Sequence, residues 1–307
     1  MDRGGRNQGG GSVAKVGSAG VKDGTASSSD LLRTIEEARA FIAGRTSVKP
    51  EVGIILGTGL GEFASATKKP TVIPYDLIPH FPRTSVESHA GNLVIGSLGG
   101  RAAAIMSGRV HYYEGYSMRQ VTFPVRVLKA LGIHTLIVTN AAGGMNPLYE
   151  AGDIAVVVDH INLMGDNPLI GPNEDSLGPR FPDMSEPYDR SLIALARDVA
   201  LAERIRLREG VLAGVAGPNL ETRAEYRFLR WAGADLVSMS LIPEAIVAVH
   251  GGLRLVAFAV VTDLCLPDAL EAVDIPRILA NAAKAEPVLT RLVTKLIGQL
   301  PAPDPRA

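Results

Sequence analysis

Between residues 52 and 262, short runs rich in Val, Ile and Leu recur along the chain, and the segments between them place apolar residues at helical rather than alternating spacing. A short run that is apolar throughout is buried on both faces when it forms a strand, so helices must cover it. The pattern therefore predicts a mostly parallel sheet with helices packed on both sides. Strands are expected at 52–56, 93–97, 102–106, 135–139, 154–158, 211–215, 236–239 and 255–262. Helices are expected at about 118–131, 191–205, 222–231, 242–249 and 275–300. An earlier helix is read from Asp30 as N-cap, with Leu31, Leu32, Ile35, Ala38, Phe41 and Ile42 at helical spacing and Gly44 closing the run. The apolar runs flanking Gly99 and Gly100 suggest a hairpin, which makes the expected sheet mixed.

At 307 residues and 46% apolar content, the chain can bury one large core. No internal repeat is visible, and no linker-like stretch follows Asp30, so one α/β domain over 30–303 is expected, after a Gly/Ser-rich tail over 1–29 read as disordered. The Pro-, Gly-, Asn- and Asp-rich segment 166–187 reads as a functional loop. Lys plus Arg total 31 against 32 for Asp plus Glu, which leaves no electrostatic footprint for nucleic acid or an anionic membrane. No apolar stretch approaches the ~20 residues that a membrane span needs. Cys265 is the sole cysteine, which excludes an internal disulfide and a multi-cysteine zinc site and fits a reducing cytoplasm. The six histidines lie far apart without metal-ligand spacing, so no metal is expected, and a small polar ligand is the expected partner.

Chemistry concentrates at the ends of the expected strands, where open α/β sheets bind ligands. Residues 107–116, SGRVHYYEGY, follow the apolar run 102–106. Arg109 offers a planar fork for phosphate oxygens, His111 a donor near neutral pH, and Glu114 a carboxylate to fix the imidazole. A solvated surface loop would also carry these residues. Residues 57–61, GTGLG, allow close backbone approach and add the Thr58 hydroxyl, although a tight strand-to-helix turn would read the same. The third glycine comes too early for a dinucleotide-binding GxGxxG. Residues 139–144, TNAAGG, read as a second small-residue turn. Glu221, Ser240 and Asp263 each follow a further expected strand; a first-turn carboxylate and a helix cap are the simpler readings of the first two. A buried Asp263 would need a reason to be there.

From residue 56 to about 268 the chain resembles the trimeric purine nucleoside phosphorylase and methylthioadenosine phosphorylase family. The likeness is carried by GTGLG, SHAG, SGRVHYYEGY, TFPVRV, TNAAGGMNP, GDI, DHINL, GPN, FPDMS, AGPNLET, GADLVSMS, IPE and TD, in that order. It implies the nucleoside phosphorylase fold and reversible phosphorolysis of purine nucleosides, with orthophosphate as co-substrate and no cofactor. It also implies a homotrimer and a place in cytoplasmic purine salvage. Position by position, the resemblance assigns phosphate binding to Thr58, His89, Arg109, His111, Ala141 and Ser240. It assigns the ribose to Tyr113 and Met239, and the purine to Asn140, Leu220, Glu221, Val237 and Asp263. Glu114 would orient His111, and Phe181 would reach a neighbouring subunit's site. His111, Glu114, Glu221 and Asp263 are the expected catalytic residues.

Two positions depart from the family's pattern for 6-oxopurine enzymes. Asp263 stands where those enzymes place Asn, which can donate to the purine N7, whereas an ionised Asp only accepts. Ile275 aligns with a His that meets the ribose 5′-hydroxyl. Inosine and guanosine are the expected substrates, with adenosine or methylthioadenosine as the alternative. A nucleoside-binding protein without turnover is a further alternative, but it would not need the intact set of Arg109, His111, Glu221 and Asp263.

Overall fold

The computed structural model describes residues 28–57, 60, 62–84 and 90–301. Among these, nine strands form one mixed sheet: β1 (Val52–Ile55), β2 (Lys68–Pro74), β3 (Asn92–Leu98), β4 (Arg101–Ser107), β5 (Thr135–Gly144), β6 (Ile154–Leu163), β7 (Leu207–Val215), β8 (Leu236–Ser238) and β9 (Arg254–Leu264). The spatial order is β2-β3-β4-β1-β5-β8-β7-β6-β9, and β9 also pairs with β5, so the second half of the sheet closes on itself. The pairs β1–β4, β1–β5, β5–β9, β6–β7 and β7–β8 are parallel, and β2–β3, β3–β4, β5–β8 and β6–β9 antiparallel. The hairpin at Gly99 and Gly100 is present, with Leu98 opposite Arg101.

Six helices cover the sheet: α1 (Ser28–Ala43), α2 (Met118–Ala130), α3 (Arg190–Ala202), α4 (Arg223–Trp231), α5 (Ile242–His250) and α6 (Ile275–Gly298). One apolar core runs from Ile35 in α1 to Leu300, taking in the buried runs of β1, β4, β5 and β9. Burial on both faces explains why these strands read as continuous apolar runs. No described helix is long and apolar enough to cross a membrane.

Three expectations are corrected. Asp30 is not the N-cap of α1 but lies in its first turn, because the helix extends back to Ser28. β2 is a strand that the apolar pattern hid: Lys68, Lys69 and Pro70 are exposed, as suits an edge strand with Pro inside it. Residues 139–144 are not a turn. β5 continues through them, and their small side chains admit β9 alongside in parallel register, with Ala141 opposite Val260. The same closeness fixes Gly57, where a Cβ would fall 2.7 Å from Asn140 Cα. Its N–H donates to Thr139 Oγ1 at 3.1 Å, fastening the exit of β1 to β5.

Candidate active site

A cavity of about 620 Å³ opens at the strand ends, lined among others by His111, Tyr113, Ala141, Glu221, Ser240 and Asp263. Each comes from a separate piece of local structure. His111 caps, and Tyr113 lies within, a short 3-10 turn after β4, in which the Glu114 carboxylate accepts from the His111 backbone N–H at 2.7 Å. Ala141 belongs to β5, and Asp263 lies near the end of β9. Glu221 precedes Thr222, the N-cap of α4, whose hydroxyl accepts from the Glu225 N–H. Ser240 precedes Leu241, which is fully buried at φ 76°, a left-handed conformation that a Leu adopts only where its surroundings impose it. That bend starts α5, so Ser240 is released from capping and faces the cavity. Leu220, Val237 and Met239 also line the cavity, and Val273, Ile275 and Ile278 form an apolar lip.

Glu114 Oε1 lies 3.0 Å from His111 Nδ1. With Nδ1–H donating to that carboxylate, the ring orientation is fixed. Burial, and then the Arg109 charge, lower the His111 pKa against the pull of Glu114. The shift favours the neutral imidazole. The Tyr113 ring stacks on it, with centroids 4.7 Å apart.

Glu221 is pushed the other way. Its burial raises the pKa, and the Tyr226 hydroxyl bonded to it only partly offsets this. Asp263 is held through both oxygens, Oδ1 accepting from the Thr262 hydroxyl at 2.8 Å and Oδ2 from the Cys265 thiol at 3.3 Å.

Arg109 differs from the expectation. Its guanidinium does not line the cavity but is buried behind it. Nη2 donates to the carbonyls of Thr139, at 2.5 Å, in the middle of β5, and Ile55, at 3.3 Å, at the end of β1. Nη1 lies 3.3 Å from Glu244 Oε1. A buried guanidinium needs a counter-charge, and the first turn of α5 supplies it. The pairing role of Glu244 was missed in the sequence, where it reads only as a first-turn acid; no local spacing links it to Arg109.

Asn140 is also buried outside the cavity lining, its amide N–H₂ donating to the Ala141 carbonyl at 3.0 Å. Phe181 is 87% exposed and does not line this chain's cavity. Thr58 and His89 lie outside the described residues. Among the described residues, no group of three or more His, Cys, Asp or Glu could hold a metal.

A mixed sheet that half closes on itself, with a cavity at its strand ends bearing His and Ser on some walls and two carboxylates on others, defines an α/β enzyme acting on a small polar molecule. The family model of the phosphorylase superfamily matches residues 51–298. Purine nucleoside phosphorylase 1 of Bacillus subtilis (strain 168) is 46% identical over 265 residues, covering 86% of this chain and 98% of that protein. Purine nucleoside phosphorylase of Mus musculus is 45% identical over 276 residues, covering 88% and 96%. The solved structure of Schistosoma mansoni purine nucleoside phosphorylase in complex with inosine superposes with a TM-score of 0.85 at 39% identity, over 89% of this chain and 98% of that one. The chain belongs to the phosphorylase superfamily and, within it, to the purine nucleoside phosphorylases.

Proposed function

We infer that this enzyme is a pentosyltransferase that catalyses the reversible phosphorolysis of purine nucleosides, with inosine and guanosine as its preferred substrates. The observation that carries the reading is the convergence in one cavity of His111 and Ser240, Tyr113 and Met239, and Glu221 and Asp263. Phosphate is assigned to His111, Ser240 and the β5 backbone at Ala141, with Thr58 and His89 expected beside them. Arg109 contributes positive charge from behind, and that charge is felt at His111. His111 hydrogen-bonds the phosphate from one side. Ribose is assigned to Tyr113 and Met239, and the base to Glu221, Asp263, Leu220 and Val237.

In this arrangement a phosphate oxygen forms a bond to the anomeric carbon as the bond to N9 breaks. The electron pair of that bond leaves with the purine, which takes up at N7 the proton that hydrogen phosphate gives up on becoming ribose 1-phosphate. Positive charge grows on the sugar beside the phosphate, which stabilises it, and the proton taken up at N7 neutralises the charge on the leaving base. Much of the acceleration comes from holding the two reactants in line. Turnover with inosine in phosphate buffer, release of hypoxanthine and ribose 1-phosphate, and no base release without phosphate would establish this. Base release without phosphate would indicate a hydrolase instead. Activity is expected to survive exhaustive dialysis against a chelator, since the reaction proposed uses no metal or other cofactor.

A second reading, adenosine or methylthioadenosine phosphorolysis, is favoured by two observations: the carboxylate of Asp263 and the apolar lip of Val273, Ile275 and Ile278. Asp263→Asn is expected to raise the kcat/KM ratio of inosine to adenosine by about tenfold, since the amide donates to N7 and a 6-oxo group where the carboxylate accepts from a 6-amino group. An unchanged ratio would place Asp263 outside the base site.

Phe181 is assigned to the site of a neighbouring subunit in a homotrimer, a reading supported by its exposure in the single chain. Phe181→Ala is expected to raise the nucleoside KM about tenfold, the effect of losing one buried aromatic contact, while the phosphate KM changes little. A sedimentation experiment reporting a monomer would remove the basis of that expectation. A cytoplasmic role in purine salvage completes the proposal and agrees with the single, reduced cysteine.

A further inference from the structure

Cys265 lines the base side of the cavity and is only 2% exposed, yet the reaction as written gives it no task. Its surroundings are specific. The thiol donates to Asp263 Oδ2 at 3.3 Å, while the Thr262 hydroxyl donates to Oδ1 at 2.8 Å. Tyr226 and Glu221 line the same cavity as Cys265. These two hydrogen bonds form a clamp on the Asp263 carboxylate. Backbone packing leaves no slack in it: a Cβ at Gly143 would fall 2.5 Å from the Cys265 sulfur, so β5 presses directly on the thiol.

We propose that Cys265 and Thr262 are specificity-determining positioning residues, which hold Asp263 as a fixed hydrogen-bond acceptor toward the purine and so set how well a 6-aminopurine competes with a 6-oxopurine. Each carboxylate oxygen accepts one protein hydrogen bond and keeps a second lone pair for the base. Donors on both oxygens fix the orientation of the carboxyl group toward the base. An ionised Asp263 accepts from a 6-amino group but gives nothing to a 6-oxo group; a protonated one can donate to N7 or O6. Burial, with the Asp263 charge adding to it, raises the Cys265 pKa far above the ordinary thiol range, so the thiol keeps the proton it donates.

The inference rests on the assignment of Asp263 to the base site, and the test separates the two. Inosine and adenosine kcat/KM are measured for Cys265→Ala, Cys265→Ser, Thr262→Val and Asp263→Asn. Cys265→Ala is expected to raise the inosine-to-adenosine ratio by about three- to tenfold, the worth of one hydrogen bond, and Cys265→Ser, which keeps a donor, to restore it. Thr262→Val, nearly equal in volume, is expected to move the ratio the same way as Cys265→Ala and keeps the question open to test should Cys265→Ala fold poorly. A ratio that shifts in Asp263→Asn but in neither donor-deleted variant overturns this inference and leaves the base assignment standing. A ratio unmoved in all four overturns both.

Discussion

Glu244→Ala is expected to lower the free energy of unfolding by about 3–5 kcal/mol, because it leaves a buried guanidinium without its counter-charge. The side chains of Arg109 and Glu244 are each 3% exposed, so water cannot stand in for the lost partner. The pair is nonetheless not an efficient source of stability. Glu244 Oε2 has no hydrogen-bond partner, and both charges were stripped of water to reach this place. Replacing both residues, as Arg109→Met with Glu244→Leu, is therefore expected to recover most of the loss. Urea denaturation of the two variants beside the parent measures this directly. The double variant is also expected to lose about 10²-fold or more in phosphorolysis, since the site no longer holds a fixed positive charge behind the phosphate. A folded double variant with full activity would remove Arg109 from the proposed site. A single variant as stable as the parent would show that the pair is solvated.

The other large effect is expected at Glu221, in activity and not in stability. Removing its carboxylate as Glu221→Ala is expected to lower kcat/KM for inosine by about 10²- to 10³-fold, because it deletes the acceptor that positions the purine through a ring N–H. Stability is expected to hold or rise, since burial already disfavours the ionised form, as its raised pKa records. The same shift sets the sign of a pH effect. A Glu221 whose pKa lies above the ordinary carboxylate range becomes protonated, and stops accepting from the base, at a higher pH than an exposed Glu would. The acidic limb of kcat/KM is therefore expected above that range, and Glu221→Gln should lack the inflection. A parent profile flat down to the ordinary Glu range would contradict this.

Much of this molecule was legible in its residues. Strands buried on both faces announce themselves as Val/Ile/Leu runs, and β1, β4 and β9 lie where those runs do. The helix starting at Met118 is equally visible, because the Ser117 hydroxyl accepts from the Gln120 N–H in a capping box. β2 was not legible, since an edge strand with Lys and Pro carries no apolar signature. The continuation of β5 was not legible either: Asn, Ala and Gly signal a turn unless a neighbouring strand needs the space they leave, and that neighbour, β9, is more than a hundred residues away. The residues lining the cavity were reachable through ordered motifs, whereas the Arg109–Glu244 pair depends on a contact between distant segments, which no local spacing encodes.

The half-closed sheet bears on assembly as well as on the site. Because β9 turns back onto β5, β2 is, among the described strands, the one with an unpaired side. A second chain seeking to extend the sheet by strand addition has a single point of attachment, and it meets Lys68, Lys69 and two prolines there. Self-association of this enzyme must therefore use helix and loop surfaces, which leaves the backbone ladder that carries Ala141 and Asp263 undisturbed in any oligomer.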